Sequence, residues 1–73
     1  MTNLQSLLTL DLNNNKIEDE GCKNLARANL PNLRTLLICE NKFNEKGLLY
    51  LSKGEWPLLA FIQARNNLFE PNK

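Results

Sequence analysis

Apolar and polar residues alternate through "LLTLDL", residues 7–12, and the alternation stops abruptly at three asparagines, Asn13, Asn14 and Asn15. Over residues 8–12 the period is two, which predicts a strand with one face buried. Asparagine is a poor strand residue and a good turn residue, so a loop is expected next. Over residues 19–29 the period changes: Cys22, Leu25 and Ala26 stand at i, i+3 and i+4, one face of a helix. Glu18, Asp19 and Glu20 lie at the positive end of that helix dipole, where acidic groups are favoured. Pro31 and Pro57 are expected to end the helices and return the chain to the next strand.

The same pattern then recurs. "LLTLDLNNNKI" (7–17), "LRTLLICENKF" (33–43) and "LAFIQARNNLF" (59–69) align without gaps at a spacing of 26 residues. Their apolar columns are Leu7/Leu33/Leu59, Leu10/Leu36/Ile62, Leu12/Ile38/Ala64 and Ile17/Phe43/Phe69, and asparagine recurs at Asn15, Asn41 and Asn67. Outside this block Gly21 matches Gly47, Leu25 matches Leu51, Pro31 matches Pro57, and Leu4, Leu30 and Trp56 form a further column. In the second copy Asn44 is the expected N-cap before Glu45. A strand–helix unit of this kind cannot bury its apolar side alone, whereas stacked copies form a continuous core and a parallel sheet.

The three copies resemble the leucine-rich repeat family, whose signature is L-x-x-L-x-L-x-x-N-x-L, with Ala64 as the weak position. The 26-residue length and the run Ile17-x-x-x-Gly21-x-x-x-Leu25, repeated as Phe43-x-x-x-Gly47-x-x-x-Leu51, look like the ribonuclease-inhibitor-like subclass. The resemblance implies an α/β fold: a leucine-rich-repeat solenoid arc with a short parallel sheet on its concave face and helices on its convex face. Residues 1–73 would form one domain with repeats at about 7–32 and 33–58 and a partial repeat at 59–73.

The three consecutive asparagines are expected to differ in role. Asn13 continues the outward parity of Thr9 and Asp11, and its column mates Cys39 and Arg65 share no chemistry with it, as on a variable surface. Asn14 aligns with Glu40 and Asn66 and begins the loop, so Asn14→Ala should be near neutral. Asn15, Asn41 and Asn67 are invariant within the chain. A buried amide there, with two donors and one acceptor, would satisfy the turning backbone of its own and the adjacent copy. Asn41→Ala should then cost about 1–3 kcal/mol.

Composition mainly excludes. Nine basic and eight acidic residues give a net charge of +1 in 73 residues with no charge block, which argues against nucleic acid or a membrane surface as partner. With no His and only Cys22 and Cys39, no metal site and no cofactor are expected. The start lacks a basic leader, its apolar run is broken by Asp11, and the two thiols imply a reducing, cytoplasmic setting. Cys22 aligns with Leu48 on the expected buried helix face, where a thiol packs as a small hydrophobe. Cys39 is expected at the end of the second strand on the sheet face, too far from Cys22 for a disulfide and without a His to activate it. Trp56 is read as a core residue, with an interface anchor as the alternative. The carboxylates are scattered and no phosphate loop or nucleophile elbow occurs, so no catalytic residue and no enzyme activity are expected.

The concave positions are expected to be Leu8, Thr9, Asp11 and Asn13, then Arg34, Thr35, Leu37 and Cys39, then Ala60, Phe61, Gln63 and Arg65. Leu37 and Phe61 are apolar where the fold should leave them exposed, on adjacent strands and diagonally offset. With Arg34, Cys39, Gln63 and Arg65 they form the candidate surface of a non-catalytic protein–protein interaction module whose partner is another protein. The alternative is a structural or terminal segment of a longer array whose binding surface lies elsewhere. The third copy runs out at "FEPNK" before a helix, and edge strands at 8–12 and 60–64 would be open, so self-association through uncapped ends is a further expectation.

Overall fold

The computed structural model of the chain describes residues 4–68. Phe69, the third member of the Ile17/Phe43 column, and the tail from Glu70 lie outside the described residues. A short 3-10 turn at Leu4–Ser6 leads into β1 (Thr9–Asp11), α1 (Asp19–Leu25), β2 (Thr35–Leu37), α2 (Glu45–Ser52) and β3 (Phe61–Gln63). The result is a small α/β structure with a three-stranded parallel sheet in the order β1-β2-β3 and two helices.

The 26-residue repeat is the register of the sheet. Thr9, Thr35 and Phe61 pair in one row, Leu10, Leu36 and Ile62 in the next, and Asp11, Leu37 and Gln63 in the third. Alternation then sends the row of Leu10, Leu36 and Ile62 into the core and leaves its neighbours on the opposite, open face. The core between sheet and helices holds Cys22, Leu30, Leu33, Leu36, Ile38, Phe43, Leu51 and Trp56. Trp56 is buried, and its indole N–H donates to the Ala28 carbonyl at 3.1 Å, which ties the end of the second copy to the first. Fully burying a side chain of this size is worth about 1.5–3 kcal/mol.

Burial is uneven along the stack for a geometric reason. Leu33, Leu36, Ile38 and Phe43 of the middle copy are fully buried, whereas Leu7, Leu10, Leu12, Ile17, Leu59, Ile62 and Ala64 are only partly buried. Among the described residues only the middle copy has a neighbour on both sides. The helix layer shows the same effect and corrects one expectation: Cys22 is 0% exposed, but its counterpart Leu48 is 36% exposed. Helix α2 packs against α1 and covers Cys22, while no helix among the described residues follows α2 to cover Leu48.

The helices also end differently from expectation. Helix α1 stops at Leu25 rather than continuing to residue 29, because the chain tightens into i→i+3 bonds from Arg27 N–H to Asn24 O and from Ala28 N–H to Leu25 O. Helix α2 closes the same way through Lys53 N–H to Tyr50 O and Gly54 N–H to Leu51 O. The prolines lie further on. Pro31 and Pro57 each occupy the second position of a turn closed by Leu33 N–H to Leu30 O (3.2 Å) and Leu59 N–H to Trp56 O (3.1 Å), where a fixed φ suits the turn.

Candidate protein-interaction face

Two hydrogen-bond systems lock the copies together and hold the strand ends in place. The first is built on asparagine. Asn41 is 3% exposed, and its Oδ1 accepts from the backbone N–H groups of Asn15 and Ile17, both at 2.9 Å. Its Nδ2 donates to the carbonyls of Leu12 and Cys39, both at 3.0 Å. One amide therefore serves its own loop and that of the preceding copy. Asn67 repeats the arrangement: its Oδ1 accepts from Asn41 N–H at 3.1 Å, and its Nδ2 donates to Ile38 O (3.1 Å) and Ala64 O (3.0 Å). Asn15 differs, because no copy precedes it among the described residues. It is exposed, and its Nδ2 donates to the nearby Asn13 carbonyl at 3.1 Å.

Asn13 is not the plain surface residue its column implied. It is half-buried, and its Oδ1 accepts from Cys39 N–H at 2.6 Å, across to the next copy. Neither Cys39 nor Arg65 can repeat that contact with its own side chain, so the column carried no signal of it. Asn14 is equally specialised, because its φ is +62°, in the left-handed region, as are Glu40 (+57°) and Asn66 (+61°) in the same column. After Gly, Asn tolerates that conformation best, because its short polar side chain can hydrogen-bond the local backbone. Asn14→Ala is therefore not neutral; it places Ala in a left-handed conformation at a cost of about 1 kcal/mol.

The second system is a cap shared between helices. Asn44 stands at the N-cap of α2 with extended backbone, but its side chain makes no cap bond. Instead Asp19 Oδ1, from the first turn of α1, accepts from Asn44 N–H (2.7 Å) and Gly47 N–H (3.0 Å). Gly47 is required for this approach, since a Cβ there would lie 2.6 Å from Asp19 Oδ1 and 2.6 Å from Phe43 Cβ.

These anchors position the open face of the sheet. Phe61 on β3 is 51% exposed, and Leu37 on β2 is half-buried rather than exposed, screened by flanking strands. Phe61 pairs with Thr35 and Leu37 pairs with Gln63, so the two apolar side chains are diagonal neighbours. Cys39 is half-buried just beyond β2, and Arg65 is exposed just beyond β3. Arg34 is exposed where the chain enters β2, and its carbonyl accepts from Ala60 N–H (2.9 Å) and Phe61 N–H (3.2 Å), which sets it beside Phe61. Leu8 is 53% exposed at the corresponding entry to β1.

Both thiols are free. Burial pushes the Cys22 thiol up to about 11, and the nearby Asp19 charge adds to the shift. It is therefore a neutral packing group at ordinary pH. Among the described residues no group of three or more His, Cys, Asp and Glu could hold a metal ion, and no helix is long and apolar enough to cross a membrane.

Parallel strands in a constant 26-residue register, with asparagines after the second and third that bond back to the copy before, define an α/β repeat structure. A family model described as Leucine Rich repeat matches residues 3–26, the segment holding β1 and α1, and supports a leucine-rich repeat in this chain. Leucine-rich repeats are in general non-catalytic interaction folds, so the match points to a protein-interaction module in broad terms. No curated protein and no solved structure matches the chain.

Proposed function

We propose that the chain is a non-catalytic module that binds another protein through the open face of its sheet, with Arg34, Leu37, Cys39, Phe61, Gln63 and Arg65 as the contact surface. In this reading residues 1–73 are one domain of a ribonuclease-inhibitor-like solenoid arc, with repeats at about 7–32, 33–58 and a partial 59–73, and the open face is its concave side. The observation that carries it is the 51% exposure of Phe61 beside Leu37, on a face where alternation calls for polar residues. Aromatic side chains so placed are typical anchors of protein interfaces. Two free thiols fit a reducing, cytoplasmic setting.

The test is affinity capture of partner proteins by the wild-type chain, by a Leu37→Asp/Phe61→Asp variant, and by Leu49→Asp, an exposed leucine on α2 away from the sheet. The double variant should lose the captured proteins with an unchanged far-UV circular dichroism spectrum, and Leu49→Asp should retain them. Capture that survives the double variant would overturn the proposal.

A second reading, a structural or terminal segment of a longer array, draws support from the half-buried end columns and from Leu48 at 36% exposure. Under it, partner capture would be insensitive to both sheet positions.

A further inference from the structure

We infer that this chain stacks head to tail on a second copy of itself: the outer edge of β3 in one copy takes up the outer edge of β1 in the next. The strands run parallel and keep the 26-residue register that joins the repeats within the chain. The inference concerns the two edges of the sheet and stands apart from the open-face reading above.

The junctions inside the chain show what one repeat takes from the one before it. Asn41 Oδ1 accepts from Asn15 N–H and Ile17 N–H at 2.9 Å, and its Nδ2 donates to Leu12 O at 3.0 Å. The next residue, Lys42, donates its N–H to Ile17 O at 2.7 Å. At the second junction Asn67 Oδ1 accepts from Asn41 N–H and Asn67 Nδ2 reaches Ile38 O, both at 3.1 Å, while Leu68 N–H donates to Phe43 O at 2.9 Å.

The first repeat carries the same set unused. Asn15 Nδ2 donates two residues back, to Asn13 O at 3.1 Å, as Asn41 Nδ2 does to Cys39 O (3.0 Å) and Asn67 Nδ2 to Arg65 O (3.3 Å). Its amide is therefore already turned as in the inner rungs, while its Oδ1 meets no donor among the described residues. Lys16 N–H has no acceptor among them either, and its φ is +59°. Its column mates Lys42 and Leu68, bonded across a junction, are not left-handed. The first loop thus departs from the other two where a preceding repeat is missing from the structure.

The outer edge of β3 supplies the complement. Phe61 N–H donates to Arg34 O and Gln63 O accepts from Ile38 N–H, so these two residues face β2 and Ile62 turns its backbone groups outward. On β1, Leu8 O accepts from Thr35 N–H and Leu12 N–H donates to Leu37 O, so Thr9 and Asp11 turn theirs outward. One further step of the register sets Ile62 beside Leu10 of the second copy, with its N–H and C=O between those of Thr9 and Asp11. The same step brings Asn67 N–H, unbonded among the described residues, to Asn15 Oδ1, as Asn41 N–H stands to Asn67 Oδ1. Leu10 and Ile62 are only partly buried, and the stack gives each the second neighbour that fully buries Leu36. Because the two edges differ, each added copy leaves one of each kind free and assembly proceeds past the dimer.

Sedimentation of the chain at up to about 1 mM should show an average mass that climbs with concentration past that of a dimer. In a mixture of labelled and unlabelled chains, isotope-filtered spectra should join a Leu10 methyl to an Ile62 methyl. Within one chain β2 separates these residues by roughly 9.6 Å, two strand spacings, so the cross-peak reports the junction alone. Asn15→Ala, at an exposed position, should keep the far-UV spectrum and weaken association about ten-fold. Leu37→Asp, on the central strand away from both edges, should leave association unchanged. A chain that stays monomeric throughout, or oligomers without the Leu10–Ile62 cross-peak, would overturn the inference. So would association that survives Asn15→Ala undiminished but is lost with Leu37→Asp.

Discussion

Replacing Asn41 by Ala deletes one amide and leaves several backbone groups stranded. The Asn15 and Ile17 N–H groups lose Oδ1 as acceptor, and the Leu12 carbonyl loses Nδ2. The Cys39 carbonyl keeps a partner, because it also accepts from Asn14 N–H at 3.0 Å. Asn15 borders solvent and its N–H can regain water, so two groups, on half-buried Ile17 and Leu12, carry most of the penalty. At about 1–2 kcal/mol each the loss comes to roughly 2–4 kcal/mol, which overlaps the top of the range of about 1–3 kcal/mol expected from the sequence and extends beyond it because two groups are stranded. A chain of 73 residues is expected to have only about 4–11 kcal/mol in total, so the effect is large. Urea denaturation of Asn41→Ala, Asn67→Ala and Asn15→Ala reads it directly. The order of destabilisation should be Asn41 first, Asn67 next and Asn15 last, with Asn15→Ala costing less than about 0.5 kcal/mol because its amide serves an exposed contact. Equal midpoints for Asn41→Ala and Asn15→Ala would refute the reasoning.

Other perturbations follow from the same geometry. Gly47→Ala should destabilise despite the higher helix propensity of Ala, because the new Cβ meets Asp19 Oδ1 and Phe43 Cβ at 2.6 Å each; a rise in thermal midpoint would contradict the shared cap. Glu40→Asn should stabilise by about 0.5 kcal/mol at its φ of +57°, and Asn14→Ala should destabilise, both measured by denaturant midpoint. Cys22 supplies a pH dependence: its folded pKa of about 11 lies above the ordinary 9.0, so the folded chain holds its proton more tightly. That contribution is intact below pH 9 and is lost as pH rises from 9 to 11, so stability should fall more steeply there for wild type than for Cys22→Ala. In the native chain a thiol reagent should modify Cys39 quickly and Cys22 only on unfolding; two fast thiols would contradict the packing of α1 against α2.

Period and spacing made the skeleton legible. The 26-residue alignment of Leu10, Leu36 and Ile62 is the strand register itself, because stacked copies must place equivalent residues side by side. What escaped the sequence depends on position within the stack or on contacts between copies. Leu48 aligns with Cys22, but among the described residues no further helix lies against it as α2 lies against α1. Asp19 looked like a residue favourable to its own helix dipole, yet its carboxylate caps the following helix, a contact that only the packing of α1 on α2 creates. The left-handed loop residues left a trace, since two of the three members of the Asn14/Glu40/Asn66 column are Asn. On the candidate face, the exposure of Phe61 followed from strand parity, whereas the half-burial of Leu37 required the flanking strands to be in place.

Methyl-to-methyl nuclear Overhauser contacts in solution test the parallel 26-residue register most directly. Cross-peaks should join Leu10 to Leu36 and Leu36 to Ile62, accompanied by the backbone pattern of parallel strands. A spectrum in which Leu36 touches neither, or in which the strands pair antiparallel, would contradict the architecture on which the interaction face depends.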